Sequence, residues 1–172
     1  FNFIEGEHMK NLNEIQSNNL LQTMAELHNI TFNYKPSKTK YRLNYDPETC
    51  KKLAQEKVKV LDTLNSKKKL KWFKNELNKL ILPDCLPKGV CHCDFHYTNI
   101  LFKNNKVKAF LDFDDANYTY LIFDLVNFID YRYWSEDKRL NFKQVQLILN
   151  KYEKYRQLNK VEKQYFFDVY KL

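Results

Sequence analysis

The chain has 172 residues, 44% hydrophobic and 29% charged, which is the composition of one soluble globular domain with one core. Mean hydropathy is −0.67, and no apolar run approaches the ~18 residues that cross a bilayer, so a membrane-spanning chain is excluded. Net charge is +8, carried by Lys far more than Arg, which argues against an Arg-rich reader of nucleic acid and for a basic surface that attracts anionic ligands.

In chain order, residues 2–7 read as an extended lead-in. A helix is expected over 13–28, with Leu20, Met24, Leu27 and Leu21, Ala25, His28 at helical spacing. His28, on that apolar face, reads as a satisfied core histidine. Residues 33–47, with Pro36 and Pro47, read as a loop, and Pro47 suits the first turn of the next helix. That helix presents Ala54, Val58 and Leu61. A further one presents Leu70, Phe73, Leu77 and Leu80, with Lys67, Lys68 and Lys69 as the solvated junction between the two.

Residues 83–87, bounded by Pro83 and Pro87, stop the helical pattern, and the period changes to two. Strands are expected over 90–93 and 99–102. Residues 103–106 form a tight turn, since Asn104 and Asn105 tolerate positive φ. Val107, Ala109, Leu111 and Phe113 then alternate with Lys108, Phe110 and Asp112. Helices resume over 120–131, then along Phe142, Val145, Ile148 or Leu149, Tyr152 and Tyr155, and last over 161–170. The aromatic run Tyr118, Tyr120, Phe123, Phe128, Tyr131, Tyr133 and Trp134 reads as core that also lines part of a pocket. No repeat or linker divides the chain.

The four cysteines are Cys50, Cys85, Cys91 and Cys93. With no basic-then-apolar leader in the first twenty residues, reduced thiols in a cytoplasm are expected. Cys91, His92, Cys93 and His96 invite a zinc reading, but C-x-C is not the usual spacing. On a strand, Cys91 and Cys93 would share one face and His92 would point to the other. Only Gly6 and Gly89 are present, so neither common glycine-rich phosphate loop exists in this chain.

The chemistry concentrates at the hairpin, in His92, Asp94, His96, Asn99, Asp112, Asp114 and Asp115. Asp94 lies in a turn between strands, Asn99 starts one strand and Asp112 ends another. A hairpin brings such ends together, and two carboxylates with one amide oxygen suit a hard cation such as Mg2+.

The segments GVCHCDFHYTNILF, KAFLDFDDA and FDLVNF resemble the aminoglycoside phosphotransferase and choline kinase superfamily, closest to its homoserine kinase branch. The shared pattern is H-x-D-x-x-x-x-N, a hairpin, an Asp, and D-L a dozen residues on. AELH and FNFIEGE resemble its first large helix and its hinge, so the resemblance covers about residues 1–130. It implies an α+β, mainly helical fold, the C-terminal lobe of a protein-kinase-like architecture with a small hairpin at the active site. Residues 1–7 would be the hinge and 8–172 the lobe, with the phosphate-covering lobe absent from this chain.

The resemblance further implies that Asp94 orients the acceptor hydroxyl and takes its proton, and that Asn99 and Asp112 hold Mg2+ on the phosphates of ATP or GTP. His92 would brace the loop and Asp124 would accept its backbone N–H groups. Asp114 and His96 are candidates for metal or substrate contact. The backbone of Phe3, Ile4 and Glu5 would meet adenine. The implied partners are a nucleotide and a small hydroxyl acceptor (homoserine, an amino-alcohol or an aminoglycoside), and the isolated chain is expected to be nearly inactive. Two other classes fit parts of the sequence. One is a non-catalytic kinase-like remnant that binds a partner; the other is a basic nucleic-acid module, which predicts steeply salt-dependent binding.

Overall fold

The computed structural model describes residues 3–32, 34, 36–37, 46–133 and 141–171. The expected loop over 33–47 therefore falls largely outside the described residues, as does Trp134. Among the described residues the fold is mainly helical, with two small antiparallel sheets at its centre.

Helix α1 spans Glu14–Thr31. It starts where Asn13 and Gln16 exchange side-chain and backbone bonds in a capping box, satisfying two donors that a helix start leaves open. Its buried face is Leu20, Leu21, Met24, Ala25 and His28, and it packs against the later sheets and helices. Helix α2 spans Pro47–Leu61, with Pro47 at its first turn and Asp46 accepting from the backbone of Glu48 and Thr49. Helix α3 spans Leu64–Asn78 and packs on α2, none of whose residues is buried.

Lys67, Lys68 and Lys69 are solvated but are no junction; they lie within α3. Left-handed Asp62 and the capping box of Thr63 with Ser66 place the break earlier. Leu80 and Tyr155, expected on helix faces, lie past the ends of their helices.

Strand β1 is Lys88–Cys91, β2 is Ile100–Lys103, β3 is Lys106–Phe110 and β4 is Asn117–Tyr120. The hairpin β2–β3 turns through Asn104 and Asn105, at φ 52° and 61°, as their tolerance of the left-handed region predicts. The second sheet, β1 with β4, is a correction: the sequence reading gave one hairpin and placed Tyr120 in a helix. Its register, Lys88 to Tyr120 through Cys91 to Asn117, joins segments about thirty residues apart, which local periodicity does not reveal. Gly89 fits β1 closely to the end of α1, where a Cβ would lie 2.6 Å from Leu121 Cδ2 and 2.9 Å from the Thr31 carbonyl.

Strand β1 also ends two residues before the expected limit, because Cys93 is left-handed at φ 64°. The alternation therefore fails there, and Cys91, His92 and Cys93 are all buried. Asn99 ends a short 3-10 turn rather than starting β2, and Phe113 starts another rather than extending β3. Helices α4 (Ile122–Tyr133), α5 (Phe142–Tyr152) and α6 (Lys160–Val169) complete the fold. No helix among the described residues is long and apolar enough to cross a membrane.

Candidate active site

The site is built from the loop after β1, the ends of the β2–β3 hairpin and one face of α4. Asp124, in the first turn of α4, is fully buried. Its Oδ2 accepts from the backbone N–H of His92 at 2.9 Å, and its Oδ1 from that of Cys93 at 2.8 Å. One carboxylate thus holds the loop at the point where left-handed Cys93 turns the chain out of β1. Asn127, one turn further along α4, donates to the Cys93 carbonyl at 2.9 Å. His92 braces the other side: its Nε2 lies 2.8 Å from the Leu111 carbonyl, and its ring packs at a tilt against Phe113 and Phe95.

Asp94 follows in this loop, half-buried. Its Oδ2 accepts from Asn99 Nδ2 at 2.7 Å, and its Oδ1 from the Tyr131 hydroxyl at 3.0 Å. The Asn99 carbonyl accepts from Leu111 N–H at 2.8 Å, so Leu111 is clamped between Asn99 and His92. The next residue, Asp112, is exposed and left-handed at φ 58°, a conformation that Asp tolerates better than most side chains. Asp94, Asn99 and Asp112 are therefore gathered by direct or one-residue links.

The donor set fits a hard divalent ion. Asn99 spends its amide N–H groups on Asp94, its side-chain oxygen accepts from the Thr98 hydroxyl at 3.4 Å and keeps a second lone pair for a ligand, and Asp112 offers an exposed carboxylate. Asp114 donates its backbone N–H to Asp112 Oδ1 at 3.4 Å, and its own side chain is exposed. His96 is half-buried, 2.7 Å from Thr98 Oγ1, with its ring against Tyr97 and Tyr131. In the lead-in, Phe3 is 92% exposed, Ile4 is exposed and Glu5 pairs with Lys103. The backbone of Glu7 exchanges hydrogen bonds with Phe102, tying this segment to the hairpin edge.

The residue that sequence reading missed is Asn127, which shares a face of α4 with residues it had named. Asp124, Asn127, Phe128 and Tyr131 fall at i, i+3, i+4 and i+7, one helix face. Polar groups at that spacing within an apolar helix were the available signal. The core histidine is confirmed and extended. His28 Nε2 meets Asp124 Oδ2 at 3.0 Å and its Nδ1 meets the Tyr152 hydroxyl at 2.6 Å. Facing a carboxylate, Nε2 donates to it. Burial pushes the Tyr152 phenol well up, keeping it a donor. Arg156 donates to Tyr152 at 3.4 Å and to Glu162 at 2.8 Å, carrying this buried chain to α6.

The zinc reading of Cys91, His92, Cys93 and His96 is not what the fold assembles. Among the described residues, the group close enough to share an ion is His28, Cys91 and Asp124. It is instead a hydrogen-bond node: both carboxylate oxygens and both ring nitrogens are engaged, and the Cys91 thiol donates to the Tyr120 carbonyl. Burial, then the Asp124 carboxylate, pushes both the Cys91 and Cys93 thiols far up. Iodoacetamide at about pH 8 should therefore label exposed Cys85 first and half-buried Cys50 slowly, the latter's thiol raised by burial and Asp46. Cys91 and Cys93 should stay unlabelled until denaturant is added. Mass spectrometry showing early Cys91 or Cys93 adducts would contradict the buried node.

A loop aspartate, a loop amide and a hairpin-end aspartate thus stand together on a loop anchored to a buried helix-borne aspartate. The chain belongs to the APH phosphotransferase enzyme family, whose pattern matches residues 1–159. No curated protein sequence matches it. Among solved structures, the gentamicin complex of APH(2")-IIa is similar at 20% identity and TM-score 0.62, covering 88% of this chain and 54% of that one. Amicoumacin kinase hAmiN, in complex with AMP-PNP, Ca2+ and Ami, is similar at 18% and 0.59, covering 96% and 50%. ADP-bound aminoglycoside phosphotransferase APH(2'')-Ib is similar at 19% and 0.57, covering 97% and 68%. The chain spans about half the length of the first two. At these identities the likeness is one of fold.

Proposed function

We propose that this chain is the catalytic and metal-binding part of a small-molecule kinase, one that moves the γ-phosphate of ATP or GTP to an acceptor hydroxyl. The observation that carries the reading is the Asp94 carboxylate, aimed by Asn99 and Tyr131 from a loop latched onto Asp124. The ATP analogue and ADP bound by the similar structures support a nucleotide ligand. Phosphoryl transfer needs positioning and charge neutralisation more than covalent help, and these residues would position the acceptor and hold the cation that offsets the phosphate charge.

In this reading Asp94 orients the acceptor hydroxyl and takes its proton. Asn99 and Asp112 would hold Mg2+, whose charge offsets that of the nucleotide phosphates when bound. Asp114 and His96 stand beside these groups as further contacts to metal or acceptor. His92 and Asp124 hold the loop, and His28 holds Asp124. Residues 1–7 serve as the hinge, with the backbone of Phe3, Ile4 and Glu5 toward adenine, and 8–172 as the helical lobe.

Calorimetry with ATP, with and without Mg2+, tests this directly. Binding should require Mg2+ and weaken at least about tenfold in Asp112→Asn, as loss of a metal-site group does. No binding at millimolar ATP, or binding indifferent to Mg2+ and to Asp112, would overturn the reading and leave a non-catalytic remnant of the fold.

A further inference from the structure

A cleft of about 260 Å3 opens beside Asp94. Tyr131 forms part of its wall and donates to Asp94 Oδ1, so the cleft adjoins the carboxylate that would receive the acceptor's proton. Phe95, Phe128 and Tyr131 give it aromatic walls, and Met9, Leu12 and Leu20 add aliphatic ones. Its charged lining residues are Lys10 and Arg132; none of the described lining residues is a carboxylate. Arg132 is anchored by a 2.6 Å bond from its Nη2 to the Leu12 carbonyl, which uses one of the five guanidinium N–H donors.

Resting on the phosphotransferase reading, we infer that the acceptor is a small hydroxy acid: an apolar or aromatic body bearing a carboxylate and the hydroxyl to be phosphorylated. The carboxylate meets Lys10 and the Arg132 fork, whose geometry matches it. The body meets the aromatic walls. A polycationic aminosugar would bring ammonium groups against Lys10 and Arg132, where none of the described lining residues is an acid. The volume points the same way, since pockets for drug-sized ligands run from about 300 to 1,000 Å3.

The test is calorimetry with three probes: L-3-phenyllactate, its uncharged counterpart 3-phenyl-1,2-propanediol, and kanamycin. Phenyllactate should bind, about tenfold tighter than the diol, and kanamycin should not. Arg132→Gln should cost phenyllactate about tenfold. Because Arg132 also holds Leu12, Lys10→Gln, at an exposed position, is the second variant and should weaken binding by a similar factor while leaving the diol unchanged. Kanamycin binding tighter than phenyllactate, equal binding of acid and diol, or no phenyllactate binding would each overturn the assignment. Mg2+-dependent ATP binding in the same sample keeps the two readings apart. ATP bound without phenyllactate sinks only the acceptor class, whereas phenyllactate bound without ATP sinks the kinase reading and leaves a hydroxy-acid site.

Discussion

Replacing Asp124 by Ala should cost about 3–5 kcal/mol of folding stability, the largest effect expected of any single carboxylate among the described residues. The substitution strips a partner from three buried donors at once: the N–H of His92, the N–H of Cys93 and Nε2 of His28. Each orphaned donor costs roughly 1–3 kcal/mol, reduced where water enters the space left behind. A domain of this size holds only about 5–15 kcal/mol in total, so the variant should be close to unfolding at physiological temperature. Asp124→Asn should recover little, because its amide N–H2 would face the donors that one carboxylate oxygen now serves. Urea unfolding measures the difference, with exposed Glu56→Gln as a surface control expected within about 0.5 kcal/mol of the parent. A loss below 1 kcal/mol in Asp124→Ala would show that the loop is not held through this carboxylate.

The second large effect concerns rate rather than stability. Under the proposed mechanism, Asp94→Asn should lower phosphoryl transfer by roughly 10²–10⁴-fold at saturating nucleotide, measured on the protein that contains this chain. The shape of the side chain is kept, and one of the bonds from Asn99 and Tyr131 survives on the remaining oxygen. Folding stability should consequently fall by only about 1 kcal/mol, and nucleotide affinity should change little. What disappears is the group that accepts the hydroxyl proton. Retention of more than about a tenth of the parent turnover would remove Asp94 from the role of base.

These two aspartates show how unevenly the site could be read. Asp94, Asn99 and Asp112 lie within one short stretch, and the hairpin between them was legible from Asn104–Asn105 and the period-two alternation around it. Their convergence followed from local geometry. Tyr131, the second partner of Asp94, sits 37 residues away on a helix that reads as apolar core. The strand β4 was hidden for the same reason: Tyr120, at its end, looks like the start of the following helix until β1 lies beside it.

What the sequence by itself determined is what neighbours within about five residues decide. Asn13 with Gln16, and Asp46 with Pro47, cap helices because their side chains reach donors of the same chain turn. Asn104 and Asn105 make the hairpin turn because they accept positive φ. Tertiary structure alone decided the left-handed Cys93, the β1–β4 sheet and the buried chain from Asp124 through His28, Tyr152 and Arg156 to Glu162. His28 and Tyr152 are 124 residues apart, and each is an ordinary core residue by its local pattern. Burial removes water as a partner, so these polar groups must pair with whatever the packed helices bring within reach, and no local periodicity encodes that choice.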